Sequence, residues 1–376
     1  MRIRFSGLIM LLALLLSGCG LGRTAQEMVG RQVGSLLVRE TGIASSISED
    51  RYAYEQLDAE TQVVYDQILQ CILSHEEKVT VSTNDSEVLR RAYECILMDY
   101  GGLFWISGYQ YNTYTSFGAV VGMEFQPHYI YTADETRELQ TEVDAVVEEW
   151  MAGISLNDDD YEKAKYVFET LIDRVDYRQG SRDNQNILSV FLYGETVCQG
   201  YADAAQYLLQ NLGISSTVVI GNADGGNHAW NMVRLDGNYY YMDVTWGNSK
   251  YHSAEEEEKK HVNYAYLNTT LEDISKSHQA DVPVDLPQSG SMEDTYFVRE
   301  GLYYETFDPG AIGSRIQSAW WEGRDRISIR LADETTHDKT LEYFVTDKHI
   351  FSYCPGLSSI SYLDGESLGI ITFIFP

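Results

Sequence analysis

The stretch "NHAWNMVRLDGNYYYMDVTW", residues 227–246, leaves the chain few choices. Two apolar runs flank Asp236-Gly237, the dipeptide that most strongly favours a two-residue hairpin turn. With that turn, Leu235 faces Asn238, and the register of the whole hairpin follows. His228 then faces Thr245. Asp243 projects from the same face as a diagonal neighbour, its Cβ roughly 5.5–7 Å from that of His228. A three-residue loop would put Asp243 on the opposite face. The spacing therefore predicts that an imidazole and a carboxylate meet on one side of a sheet. The other side, Ala229, Asn231, Val233 and Leu235 against Tyr240, Met242, Val244 and Trp246, suits core packing. A hydrogen-bonded, half-buried histidine without a chemical role fits the hairpin equally well.

A third residue separates the two readings. In "GETVCQGYADAAQYLLQNLGI", Tyr201, Ala205, Leu208, Leu209 and Leu212 recur at helical spacing and Gly213 ends the run. Cys198 falls at the start of that helix, where free N–H groups and the positive end of the macrodipole favour a thiolate. As a small buried hydrophobe it would have greasier neighbours than Gln199 and Gly200. Gly200 reads as room for another backbone or a substrate. The chain order Cys198, His228, Asp243 is that of a thiol nucleophile, its base and the group that orients the base.

These segments resemble the core of the transglutaminase-like superfamily, which shares its catalytic layout with papain-type thiol proteases. The family pattern is a Cys-x-Gly-Tyr/Phe-Ala helix start, a His-Ala-Trp strand and an Asp-x-Thr-Trp strand. It is matched by Cys198, Gly200, Tyr201 and Ala202, by His228, Ala229 and Trp230, and by Asp243, Thr245 and Trp246, across roughly residues 158–250. The resemblance implies an α+β fold with a papain/transglutaminase-like core, N-terminal helices packed on an antiparallel sheet, and flanking N- and C-terminal α+β regions. It also implies a thiol enzyme, a cysteine peptidase or a protein-glutamine acyltransferase. Cys198 attacks an amide carbonyl of a peptide, protein or cell-wall peptide, His228 protonates the leaving amine, and Asp243 holds the imidazole. The thioester then passes to water or to a primary amine, and the triad decides neither. By the same analogy a side-chain oxyanion donor is expected upstream. Gln185, in "RDNQNILSVFLYG", is the candidate, against its reading as an ordinary surface residue. A catalytically inactive surface scaffold or cell-wall binding module is the alternative for the chain as a whole.

The first residues, "MRIRFSGLIMLLALLLSGCG", set a basic start before an apolar run too short for a comfortable transmembrane helix. Leu16-Ser17-Gly18-Cys19 resembles the lipobox of bacterial lipoproteins. It implies cleavage of a signal peptide over 1–18, lipidation of Cys19, and a body anchored to the cell membrane on its extracytoplasmic side. Cleavage would remove two arginines and leave 25 basic against 57 acidic side chains, a net charge of −32. That acidity argues against nucleic acid as a partner. Of the other cysteines, Cys71 and Cys95 sit in helix-like runs as buried hydrophobes that could form a disulfide outside the cytoplasm, and Cys354 beside Pro355 is structural. No cysteine spacing suits zinc and no EF-hand spacing suits calcium, so neither metal nor cofactor is expected.

Residues 19–50 read as a tether. Residues 51–155 read as an N-terminal α+β region with helices near 60–75 and 86–98, aromatic-rich strands, and a helix from Asp134 to Met151. The aromatics suit strand packing better than glycan or peptide binding. The catalytic domain spans 156–282 and opens with Asp158 to Asp160 capping a helix. Its "GNADGG" reads as a flexible connection, and Glu255–Glu258 as a solvated helix face. After a Pro-containing linker, residues 290–376 form a small α+β domain. That domain starts with a strand in "YFVREGLYYE", then a helix from Asp308-Pro309, a strand in "RISIRLA", a helix, and a strand in "LGIITFIF".

Overall fold

A computed structural model describes residues 51–248, 260–288 and 290–376; residues 1–18 read as a signal peptide, Cys19, the stretch to residue 50 read as a tether and Glu255–Glu258 lie outside them. Among the described residues no helix is long and apolar enough to cross a membrane. The chain divides into two compact units.

The first unit takes in residues 53–96 and 105–142. Helix α1 (Ala59–Leu73) starts where the Asp58 carboxylate accepts the Thr61 N–H, and it buries Val64, Tyr65, Ile68, Leu69 and Ile72 at helical spacing. Strand β1 (Val79–Val81) is too short for alternation to reveal it in sequence. Helix α2 (Ser86–Asp99) follows, then a long hairpin of β2 (Ile106–Ser116) and β3 (Ala119–Tyr129), giving sheet order β1-β3-β2. The hairpin aromatics do not all pack as strands of a core should. Tyr109 stacks on Phe125 at 5.2 Å, but Tyr111 and Tyr114 are 44% and 51% exposed. Cys71 and Cys95 are free buried thiols, so the two form no disulfide. Helix α3 (Ala133–Met151) completes the elements up to the catalytic region.

The second unit holds residues 97–104 and 143–376. Asp159 caps α4 (Asp160–Arg174) by accepting the Glu162 N–H. A two-residue parallel pair, β4 (Asp176–Tyr177) with β5 (Glu195–Thr196), brackets the short helix α5 (Ile187–Phe191). It delivers the chain to α6 (Cys198–Asn211). The antiparallel sheet beside α6 runs β8-β7-β6-β9, from β6 (Ser216–Ala223), β7 (Gly226–Leu235), β8 (Asn238–Met242) and β9 (His278–Ala280). Asp236 and Gly237 both have positive φ, 47° and 85°, and Leu235 pairs with Asn238, as a type I′ turn requires. The "GNADGG" connection is a second such turn. Asp224 and Gly225 have φ of 48° and 79°, and Ala223 pairs with Gly226, so the segment is mostly ladder.

Small residues close the helix onto the sheet: Ala202 of α6, Val218 of β6 and Ala229 of β7 form one buried cluster. The Asn231 side-chain amide donates to the Ala202 carbonyl at 2.9 Å, tying β7 to α6. Gly200 faces its own chain, not a substrate: a Cβ there would lie 2.0 Å from Thr196 Oγ1 and 3.2 Å from the Asn186 carbonyl oxygen.

Beyond residue 290 the sheet order is β10-β11-β13-β12. Its strands are β10 (Tyr303–Tyr304), β11 (Arg326–Leu331), β12 (Ser361–Gly365) and β13 (Ile370–Ile374), with α8 (Pro309–Trp321) and α9 (Glu334–Leu341). The strand expected over "YFVREGLYYE" is a helical turn, Tyr296–Arg299, followed by only two strand residues. Tertiary packing overrides the local preference here: Tyr296 lies flat on Tyr264, centroids 3.9 Å apart. This region also falls in the same compact unit as the core. Arg330 pairs with Asp273 at 2.6 Å, Arg299 with Asp159 at 2.5 Å, and Tyr161 donates to Glu300 at 2.9 Å.

The Gly200 contacts generate a stability prediction. Gly200→Ala should destabilise by roughly 1–3 kcal/mol through overpacking, measured by urea unfolding. Gly226→Ala, whose Cβ would find its nearest atom 3.8 Å away, should move the midpoint far less.

Candidate active site

Cys198 is the first residue of α6. The residue before it, Val197, sits in extended geometry and provides no side-chain cap, so no side chain there takes up the helix's first N–H groups. Those groups and the macrodipole face the Cys198 sulfur and anything that approaches it. Cys198 is half-buried, whereas Cys71 and Cys354 are fully buried and burial pushes both thiols up, Cys71 to about 11. Beside Cys198 stands the half-buried phenol of Tyr177 on β4, raised first by burial and also by the thiol.

His228 is the third residue of β7, opposite Gly221 of β6. Its Nε2 meets Asp243 Oδ2 at 2.8 Å. Its ring also lies within electrostatic reach of Cys198. With Nε2 occupied by the carboxylate, Nδ1 is the nitrogen left for the sulfur. Burial alone would lower this imidazole, but the Asp243 carboxylate and Cys198 outweigh burial and raise it to about 9.

Asp243 reaches His228 by a route the hairpin register did not contain. Strand β8 ends at Met242, and the last paired residues are Asn231 and Met242. Asp243 then caps a single helical turn, α7 (Val244–Gly247), its Oδ1 accepting the Trp246 N–H at 3.1 Å. Thr245 therefore does not face His228; it sits in that turn. The cap fixes the carboxylate so that Oδ2 is free for imidazole. Asp243 is completely buried, and burial would raise its carboxyl; hydrogen bonds from His228 and His278 hold it below the usual carboxylate range.

His278 is the residue that sequence reasoning missed. It opens β9, and its Nε2 lies 3.0 Å from the same Asp243 Oδ2. A three-residue strand 35 positions downstream carries no periodicity that could have pointed to it. His228, Asp243 and His278 bring their ligand atoms within 4.8 Å of one another. Those atoms are already joined by hydrogen bonds of 2.8 and 3.0 Å, so the cluster is read as imidazole–carboxylate–imidazole and not as a metal centre. Gln185 is exposed in the turn before α5, apart from this cluster's hydrogen bonds. Gln199, next to Cys198, instead donates to Asp203 at 2.9 Å.

The profile of the Transglutaminase-like superfamily matches residues 148–244, a span that contains Cys198, His228 and Asp243. A comparison with curated protein sequences finds no match. Solved structures similar to the chain include a candidate cysteine protease from Cytophaga hutchinsonii, at 13% identity and TM-score 0.25, covering 36% of this chain and 61% of that one. A TGase matches at 13% identity and TM-score 0.28, covering 48% and 53%. A candidate protease from Parabacteroides distasonis matches at 11% identity and TM-score 0.21, covering 39% and 37%. The chain thus spans no more than 61% of the length of any of these three. With the profile match falling on the α+β core that holds Cys198, His228 and Asp243, residues 148–244 form a transglutaminase-like domain.

Proposed function

We propose that the protein is a thiol enzyme that cleaves or transfers amide acyl groups of peptides, proteins or cell-wall peptide through a thioester on Cys198. One observation carries this reading: an imidazole that a buried carboxylate holds at 2.8 Å lies within electrostatic reach of a half-buried sulfur at an uncapped helix start. In the first half-reaction the Cys198 thiolate adds to the amide carbonyl, and the backbone N–H of Cys198 stabilises the oxyanion. The C–N bond then breaks, His228 gives its proton to the departing amine, and an S–C thioester remains. In the second half-reaction His228 takes a proton from water or from a primary amine as that nucleophile displaces the sulfur. The acid or the new amide leaves, and the thiolate–imidazolium pair returns. Hydrolysis is the favoured outcome because water is always at hand. Asp243 stabilises the imidazolium throughout.

We place this enzyme on the extracytoplasmic face of a membrane, held by lipid on Cys19. Support comes from the Leu16–Cys19 motif in the sequence.

Cys198→Ala should lower amide hydrolysis in a casein assay, and incorporation of a fluorescent primary amine into casein, by about 10³-fold or more. A variant with full activity in either assay removes Cys198 as the nucleophile. The rate should hold through neutral pH and fall as pH rises through about 9, because His228 then loses the proton the leaving amine requires. A profile still climbing above that point would separate the step from His228. Metabolic labelling with radioactive palmitate should mark the full-length chain and be lost in Cys19→Ala.

A further inference from the structure

The proposed mechanism leaves a buried titratable group beside Asp243 without a task. The His278 side chain is entirely buried, with Trp246 at 4.7 Å and Trp230 at 5.0 Å between ring centroids. Its Nδ1 lies 2.8 Å from the Ser277 hydroxyl. With Ser277 donating to Nδ1, the ring carries its proton on Nε2 and donates it to Asp243. The result is a continuous chain: Ser277 to His278, His278 to Asp243, with His228 donating to the same carboxylate oxygen from the other side.

Two features show that the fold is arranged to admit this residue. Strand β9 lies so close to β6 that a Cβ on Gly221 would stand 2.1 Å from the Gln279 carbonyl oxygen. Asp243 is held from three directions, by the Trp246 N–H on Oδ1 and by two imidazoles on Oδ2. A carboxylate held only by the cap and by His228 would have one anchor weakened each time the imidazolium gave up its Nδ1 proton, because the Nε2–H bond to Asp243 then loses its charge assistance. Held also by His278, it stays in place through the cycle.

We propose that His278 is a positioning residue: by sharing Asp243 Oδ2 it pins the carboxylate in the orientation that meets His228, and so sustains the Cys198–His228 pair. This rests on the reading of Cys198, His228 and Asp243 as the reacting set. Among the described residues, the titratable groups facing Asp243 are His228 from β7, His278 from β9 and the phenol of Tyr266, which Asp224 faces in turn.

The test is the rate of Cys198 alkylation by iodoacetamide in the full chain, followed by mass spectrometry between roughly pH 4 and 9. It needs no knowledge of the substrate. Wild-type Cys198 should label fast at neutral pH; if it labels no faster than a thiol in the unfolded chain, the reacting set itself is wrong. With a reactive wild type, His278→Leu should move the acid midpoint up by about one pH unit and slow labelling about tenfold below it, as expected for one lost charge-assisted hydrogen bond. His278→Gln, whose side-chain amide can donate from the same place, should restore the wild-type curve. A His278→Leu curve that superposes on wild type overturns the proposal, even if the melting temperature falls. Should that variant fail to fold, Ser277→Ala takes its place, at a residue only half-buried. Releasing the tautomer should shift the midpoint the same way by a smaller amount, and an unshifted midpoint overturns the proposal.

Discussion

The site depends on one buried anion. Asp243 has no exposed surface, and a carboxylate in that position survives as a charge only where hydrogen bonds replace the water it has lost. Asp203 shows the contrast. It is also buried, but among the described residues the Gln199 amide is the one donor to it, and burial pushes its carboxyl well above the usual range. Asp243 has three donors and is held below that range. With burial alike, the hydrogen bonds and charge of two imidazoles at Asp243 send its shift the opposite way from that of Asp203.

Bringing those donors together accounts for much of the local architecture. The Asp236-Gly237 turn fixes the register that ends β8 at Met242. The helical turn after it turns Asp243 from a strand residue into a cap, which removes one rotational freedom from the carboxylate. Gly221 lets β9 approach with His278. The Asn231 bond to Ala202 then locks β7, and with it His228, onto the helix that begins at Cys198. Tyr201 adds a second tie from the same helix, donating to the Val175 carbonyl at 2.8 Å and accepting from Asn248 at 3.2 Å.

The start of α6 follows a different rule from its neighbours. Asp159 and Asn186 close the starts of α4 and α5 with side-chain oxygens, as stability favours. Val197 offers none to α6. The missing cap leaves the first N–H groups of α6 without a side-chain partner at the residue before the helix, which local stability alone would not favour.

What the sequence determined by itself was whatever a few adjacent residues can specify: the Asp236-Gly237 turn, the α6 periodicity with Cys198 at its tip, the Asp159 and Asp308 caps, and the order of Cys198, His228 and Asp243. Local signals failed where the same chemistry was diluted. Asp224-Gly225 is also a type I′ turn, but the glycines around it suggested a loose connection, and "YFVREGLYYE" read as a strand until Tyr264 took its first aromatic into a stack. Only the tertiary structure decided that Asp243 leaves its strand to cap a turn, that Gly200 is a packing glycine, and that His278 joins the carboxylate. A hydrogen bond between residues 35 positions apart depends on where β9 docks, and docking is set by surfaces assembled from many segments, none of which carries that information in its own order of residues.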